Sequence, residues 1–329
     1  MRPAPVRRGF ERTGFHALHL LTNHALVDIT LHLGAHKTAS TYLQSVLASS
    51  LDRLRAAGVD YVTLQEMREK VTPRVARMGL NLKPAVKELL EDHAGYRRLI
   101  LSDENLPGGS REIIERTYYP AAGKRVGRLI RALAGHRVQI VLAMRSYEAF
   151  ISSMYCECIR HGAFLTPAAY LSQLDAERVS WPALLAQLSA LVGEDAITLW
   201  RFEDFAAIEN DVLAAMAGGI RIEWAKPDTV VRRSFSQKAV DALVALEPVL
   251  SGEEIRMLVE PISDALPKSQ SSPAFRAYDE KAAAALKNRY DQDIARIRRD
   301  FPAVNWITPT SMLSRFTQDG RSRPSPPHE

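Results

Sequence analysis

The sequence predicts an α/β protein with a central parallel sheet flanked by helices and a helical appendage at its C-terminal end. Three observations lead there. Short apolar runs alternate with amphipathic helical stretches over most of the chain, the pattern of strands covered on both faces. The first apolar run passes directly into a polar turn and then a helix. The last third turns helical, punctuated by Pro261, Pro267 and Pro273.

Taken in order, Ile29 to Leu33 reads as a buried strand that Gly34 breaks. A helix begins near Ser40 and carries Leu43, Val46, Leu47, Leu51 and Leu54 on one face until Gly58 ends it. Asp60 to Thr63 reads as a short second strand, and Pro84 opens a helix through Leu90. Leu99 to Leu101 is a strand ending in Ser102-Asp103-Glu104. A helix over Lys124–Leu133 stops at Gly135. Val138 to Ala143 is a strand ending at Met144-Arg145, followed by a helix over Tyr147–Ile159. Ala183 to Leu191 is amphipathic, and Ile197 to Trp200 reads as the last strand. Helices are then expected over Ser236–Leu250, Glu253–Glu260 and Ala277–Arg299. No internal repeat is present. One domain is expected over residues 27–310, preceded by a poorly ordered extension at 1–26. A Pro-, Ser- and Arg-rich tail follows at 311–329, with the composition of a disordered segment.

The 329 residues are 46% hydrophobic and 25% charged, ordinary globular values. The net charge of +5 comes from 43 basic against 38 acidic residues. That excess suits a small polyanion, and no Lys/Arg block is long enough to indicate nucleic acid. The two cysteines, Cys156 and Cys158, lie two apart on an expected helix, where their side chains diverge. There is no disulfide framework and no zinc pattern, which points to a reducing, cytoplasmic setting without a metal. No run approaches the roughly 18 apolar residues of a membrane span. The N-terminal stretch around Leu18–Leu21 is too polar for a secretory signal. Oligomeric state is not readable.

The chemistry concentrates between the first strand and its helix, at Gly34-Ala35-His36-Lys37-Thr38-Ala39-Ser40-Thr41. Free backbone N–H groups at a helix start, three hydroxyls and one Lys make a phosphate-binding turn. It is not a Walker A loop, because it lacks the second Gly and the Gly-Lys-[Ser/Thr] ending. Arg145 leaves the carboxyl end of its strand, where ligands bind in open α/β sheets. Ser153 follows eight residues later, about two helical turns on, so that both residues can face one phosphate. An Arg fork suits a phosphate because it donates two hydrogen bonds at once. Glu104, at another strand end, is placed to take a proton. His36, inside the loop, is the rival base. His161 reads as structural.

The loop, followed by Leu43-Gln44, resembles the 5′-phosphosulfate loop of sulfotransferases that use 3′-phosphoadenosine-5′-phosphosulfate (PAPS), and within them the bacterial branch. The resemblance implies a P-loop-like sulfotransferase fold and transfer of a sulfuryl group from PAPS to a hydroxyl or amine. The acceptor would be a small molecule or glycan, such as a carbohydrate or glycolipid. The family has Gly where this chain has Ala39, and Ala is accommodated at a helix start at negative φ. The Arg145–Ser153 spacing resembles the element that grips the 3′-phosphate of PAPS, and Ser102-Asp103-Glu104 resembles the family's Ser-Ser-Glu. Less specific likenesses are Trp200 to Phe205, Arg232-Arg233-Ser234-Phe235-Ser236, and Tyr290 with Asp293, Phe301 and Trp306. They add Arg233 to the residues implied to cover the nucleotide. Acceptor specificity would come from the Val71–Pro120 region and the C-terminal helices.

Two other functions compete. In a small-molecule kinase or other P-loop NTPase, Leu99 to Glu104 would be a Walker B strand whose acid holds Mg²⁺. The missing glycine pattern counts against it. A non-catalytic nucleotide- or glycan-binding protein of the same fold would have no use for Lys37 and Glu104 together.

Overall fold

The computed structural model describes residues 26–110, 118–175, 178–227 and 234–309. The extension up to residue 25, the tail from residue 310 onward and Arg232–Arg233 lie outside the described residues. The strands are β1 (Asp28–Gly34), β2 (Val59–Val62), β3 (Arg98–Ser102), β4 (Arg137–Met144), β5 (Ile197–Arg201) and β6 (Asn305–Ile307). All pair in parallel, in the order β2-β3-β1-β4-β5-β6. This is the P-loop-like parallel architecture expected from the sequence.

Side chains alternate between the two faces, as the strand period of two requires. Ile29, Leu31 and Leu33 of β1, Leu99 and Leu101 of β3, and Ile140, Leu142 and Met144 of β4 enter one apolar layer. Ile100, Val141, Ala143 and Trp200 enter the other. The Ala122–Ala132, Tyr147–His161 and Trp181–Val192 helices cover the first face. The Ser40–Ser49 and Phe205–Met216 helices cover the second. With both faces closed, the strands read as continuous apolar runs.

The chain leaves β1 towards β2 on one side and later fills β4 on the other. The carboxyl end of β1 is therefore a topological switch point, where helices diverge and leave a crevice. The C-terminal Glu280–Asp300 helix is latched beside it. Tyr290 Oη donates to Glu203 at 3.1 Å, and Tyr147 Oη donates to Asp293 at 2.5 Å. Among the described residues, no helix is long and apolar enough to cross a membrane.

Several elements depart from expectation. The first helix is not continuous: it ends at Ser49 and restarts at Leu51, because Ser50 turns inward and its hydroxyl accepts the Ala225 amide. The helix expected over Ser236–Leu250 stops at Ala245. Pro261 does not end its helix, which runs over Gly252–Ala265. A capping box at Ser251 and Glu254 and the buried Ile255 and Val259 fix that helix before the proline is reached. The strand over Ile197–Arg201 is not the last. β6 follows about a hundred residues later, too short for periodicity to reveal it, and pairs Trp306 with Leu199. The helical turns between Leu64 and Ala76 and the Phe205–Met216 helix were not anticipated either.

Candidate active site

The loop begins where Gly34 closes β1. Gly34 has φ +84°, and a Cβ there would stand 2.9 Å from Glu104 Cβ and 3.2 Å from Ser40 Oγ. Glycine thus serves two ends at once: it turns the chain, and it lets the β3 end approach the loop. Ala35 is buried, and its carbonyl accepts from Thr38 Oγ1 at 2.6 Å and Ser40 Oγ at 3.2 Å. Those two hydroxyls brace the turn from inside, while Thr41 is exposed on the helix's first turn. The first amides of a helix have no intrahelical partners, so they are the donors this turn offers a ligand.

Ala39 corrects an expectation. Its φ is +64°, not negative, and Lys37 two residues earlier has φ +61°. Two excursions of this kind, at residues 37 and 39 on either side of Thr38, carry backbone strain of the order of 1–2 kcal/mol each. The helix they introduce has no side-chain cap.

Lys37 is held at both ends. Its carbonyl accepts from Arg145 Nη1 at 2.6 Å, and its ammonium pairs with Glu157 at 3.1 Å. Arg145 stacks over Phe202, with 4.5 Å from guanidinium to ring centre, and its own carbonyl accepts the Trp181 indole N–H. Its Nε is buried without a partner. Burial pulls the Arg145 guanidinium below its ordinary pKa, with Glu203 opposing. Arg145 and Ser153 line one cavity of about 370 Å³, together with Ser152, Phe235, Arg276 and Lys287. The C-terminal appendage therefore walls this cavity. Arg233 lies outside the described residues.

On the other side, β3 brings Asp103, Glu104 and Asn105 alongside the loop. Glu104 accepts from Arg68 at 2.9 Å and from Gln44 Nε2 at 3.2 Å. Gln44 also reaches Ser102 Oγ, which meets His32 Nδ1 at 2.8 Å. Asp103 is fully buried and is consumed by structure: it accepts from Thr72, from Asn105 twice, and pairs with Arg68. His36 is locked. Its backbone N–H donates to Tyr119 Oη, so the phenolic proton is free to go to His36 Nδ1 at 2.9 Å. That assigns the ring proton to Nε2, facing Asn105 Oδ1 at 3.3 Å. Burial lowers the His36 pKa; Glu104, Asn105, Glu157 and Asp103 oppose it. His161 pairs with Glu157 at the helix end.

The structure thus brings the loop, Arg145, Glu104 and His36 to one end of the sheet. Glu157, Arg68, Tyr119 and Asn105 were not singled out in the sequence. Glu157 was within reach, since it lies one turn beyond Ser153 on an expected helix. Arg68 sits in a stretch with no readable pattern. Among the described residues, no group of three or more His, Cys, Asp or Glu is arranged to hold a metal ion.

No family model matches the chain, and no curated protein matches it. Among solved structures, a sulfotransferase from Alicyclobacillus acidocaldarius is similar at 13% identity and a TM-score of 0.40, covering 70% of this chain and 95% of that one. A structure of the PezAT chromosomal toxin-antitoxin system of Streptococcus pneumoniae is similar at 14% identity and a TM-score of 0.27, covering 74% of this chain and 88% of that one. Likenesses at this level carry no argument about chemistry.

Proposed function

We propose that the protein is a PAPS-dependent sulfotransferase acting on a small-molecule or glycan hydroxyl or amine. One observation carries the reading: Arg145 hydrogen-bonds the phosphate-type loop at the Lys37 carbonyl and also lines the cavity shared with Ser153. The two elements that resemble the 5′- and 3′-phosphate sites are thus physically joined. In this reading the loop amides, those of Thr38 and Ser40 included, take the phosphosulfate with Lys37 and the Thr41 hydroxyl, while the Thr38 and Ser40 hydroxyls brace the turn, and Arg145 and Ser153 take the 3′-phosphate. Arg233 is an added candidate from the sequence.

The reaction moves one group. The acceptor's oxygen or nitrogen attacks sulfur, the bond from sulfur to the bridging phosphate oxygen breaks, and the acceptor's proton goes to a base. The product nucleotide is adenosine 3′,5′-bisphosphate. Lys37 serves the charge growing on the bridging oxygen. Glu104 is the better base than His36, because both imidazole nitrogens are engaged with Tyr119 and Asn105. A carboxylate keeps free lone pairs beside its bonds to Arg68 and Gln44.

The test is a thermal-shift panel followed by turnover. PAPS or the bisphosphate should raise the melting temperature without magnesium, through binding to the native state alone. Stabilisation only by ATP with magnesium would indicate a kinase. Binding of PAPS without transfer to any acceptor in a labelled-sulfate screen would indicate a non-catalytic relative.

A further inference from the structure

The ammonium of Lys37 already has an anion. Glu157 Oε2 lies 3.1 Å from Nζ, with only 15% of the Glu157 side chain exposed. Glu157 stands four residues beyond Ser153 on the Tyr147–His161 helix, so a single turn joins the cavity wall to the loop. Burial alone would raise its pKa. Lys37, His161 and Arg160 outweigh burial and hold the carboxyl below its usual range, so it is charged.

Glu157 is anchored independently of the loop. His161 Nε2 is 3.1 Å from its other oxygen, and Arg160 is 3.9 Å away. Arg160 is itself fixed over the Phe235 ring at 4.1 Å and paired with Glu260. The carboxylate can therefore stay in place when Lys37 swings away. A phosphate-type loop whose lysine is neutralised in advance does not accept every anion. A single negative charge meets a rival carboxylate of equal charge. A pyrophosphate-like group carries more charge at the same distance and wins.

Resting on the sulfotransferase reading, we propose that Glu157 is a built-in counter-anion that holds Lys37 in the free protein and must yield it to the incoming phosphosulfate. It sets a charge threshold for entry to the loop.

The experiment is calorimetric titration at fixed pH and ionic strength with adenosine 3′,5′-bisphosphate and with inorganic pyrophosphate. Glu157→Gln should tighten both ligands by about threefold to tenfold and by the same factor, since the effect acts at Lys37 and not at the 3′-phosphate. Glu157→Asp, which draws the charge back by one methylene, should give a smaller gain in the same direction. Lys37→Ala should erase the gain in the double variant, the signature of coupling between the two. Unchanged or weaker pyrophosphate binding in both Glu157 variants, with melting temperatures retained, overturns the proposal. Failure of the wild type to bind the bisphosphate overturns the sulfotransferase reading instead, and the pyrophosphate series still decides the role of Glu157.

Discussion

The two halves of the candidate site are built differently. On the loop side, the backbone of Lys37 and Ala39 is held at positive φ, Arg145 keeps a buried Nε without a partner, and Lys37 is tied to a carboxylate. On the β3 side, Asp103 is satisfied by three neighbours and His36 has both ring nitrogens engaged. The loop side gains by meeting an anion: the stranded Arg145 donor and the free helix-start amides want an acceptor. The β3 side leaves Gln44 Oε1 and His32 Nε2 without partners, but it engages Asp103 and both ring nitrogens of His36 and holds Glu104 at a fixed approach to the loop. In the proposed reading, binding falls to the unfinished loop half and proton transfer to Glu104 on the β3 side.

The largest effects should come from breaking that division at Glu104. Glu104→Gln keeps shape and the Gln44 contact but removes the proton acceptor. Turnover should fall by about 10²–10⁴ with bisphosphate affinity retained. His36→Asn should do less to turnover and more to stability, about 1–3 kcal/mol, because buried Tyr119 and half-buried Asn105 each lose a hydrogen bond to the ring. Steady-state kinetics beside urea melts would separate the two. A dead His36→Asn with an active Glu104→Gln would exchange their roles.

Lys37→Ala comes next, with an expected loss of about 10²–10³ in turnover and an intact fold. Near-wild-type turnover in the folded variant would sink the assignment of the loop. Smaller again are the changes on the cavity wall. Ser153→Ala should weaken the bisphosphate by roughly tenfold, the worth of one hydrogen bond to a charged group, and leave adenosine 5′-phosphosulfate unchanged. Arg145→Ala is the less clean variant, because Arg145 also holds the Lys37 carbonyl. It should weaken both ligands. Equal losses in Ser153→Ala with and without the 3′-phosphate would remove that residue from the 3′ site.

These residues also mark what was legible in the sequence. Strands β1, β3, β4 and β5 were, because burial on both faces leaves uninterrupted apolar runs. The loop was, because it packs rare residue types into one turn. Arg145 and Ser153 were readable only as a spacing, and the cavity that unites them needs Phe235, Arg276 and Lys287 from the far end of the chain. Arg68 and Tyr119 were invisible, since their partners lie 36 and 83 residues away in sequence and no local pattern encodes such a pairing. β6 was missed for a related reason: its three residues form a strand only because β5 offers an edge.

The smallest effect concerns the backbone of the unfinished half, and it contrasts two positions of the same loop. Gly34 and Ala39 both have positive φ, +84° and +64°. At Gly34 the lack of a side chain is required, because a Cβ would press on Glu104 Cβ at 2.9 Å. At Ala39 the methyl is present, and the backbone bears the strain. Ala39→Gly relieves about 1–2 kcal/mol of left-handed strain. It also loosens the unfolded chain, which offsets about 0.4–1 kcal/mol of that gain. The variant should therefore be more stable by about 0.5–1 kcal/mol, a rise of a few degrees or less in melting temperature. Gly34→Ala should move the other way and by more, since it adds both strain and overlap. A urea-denaturation series on the two variants measures both signs. If Ala39→Gly is destabilising, the loop stores no strain at that position, and the contrast between the two halves must rest on Arg145 and Lys37 alone.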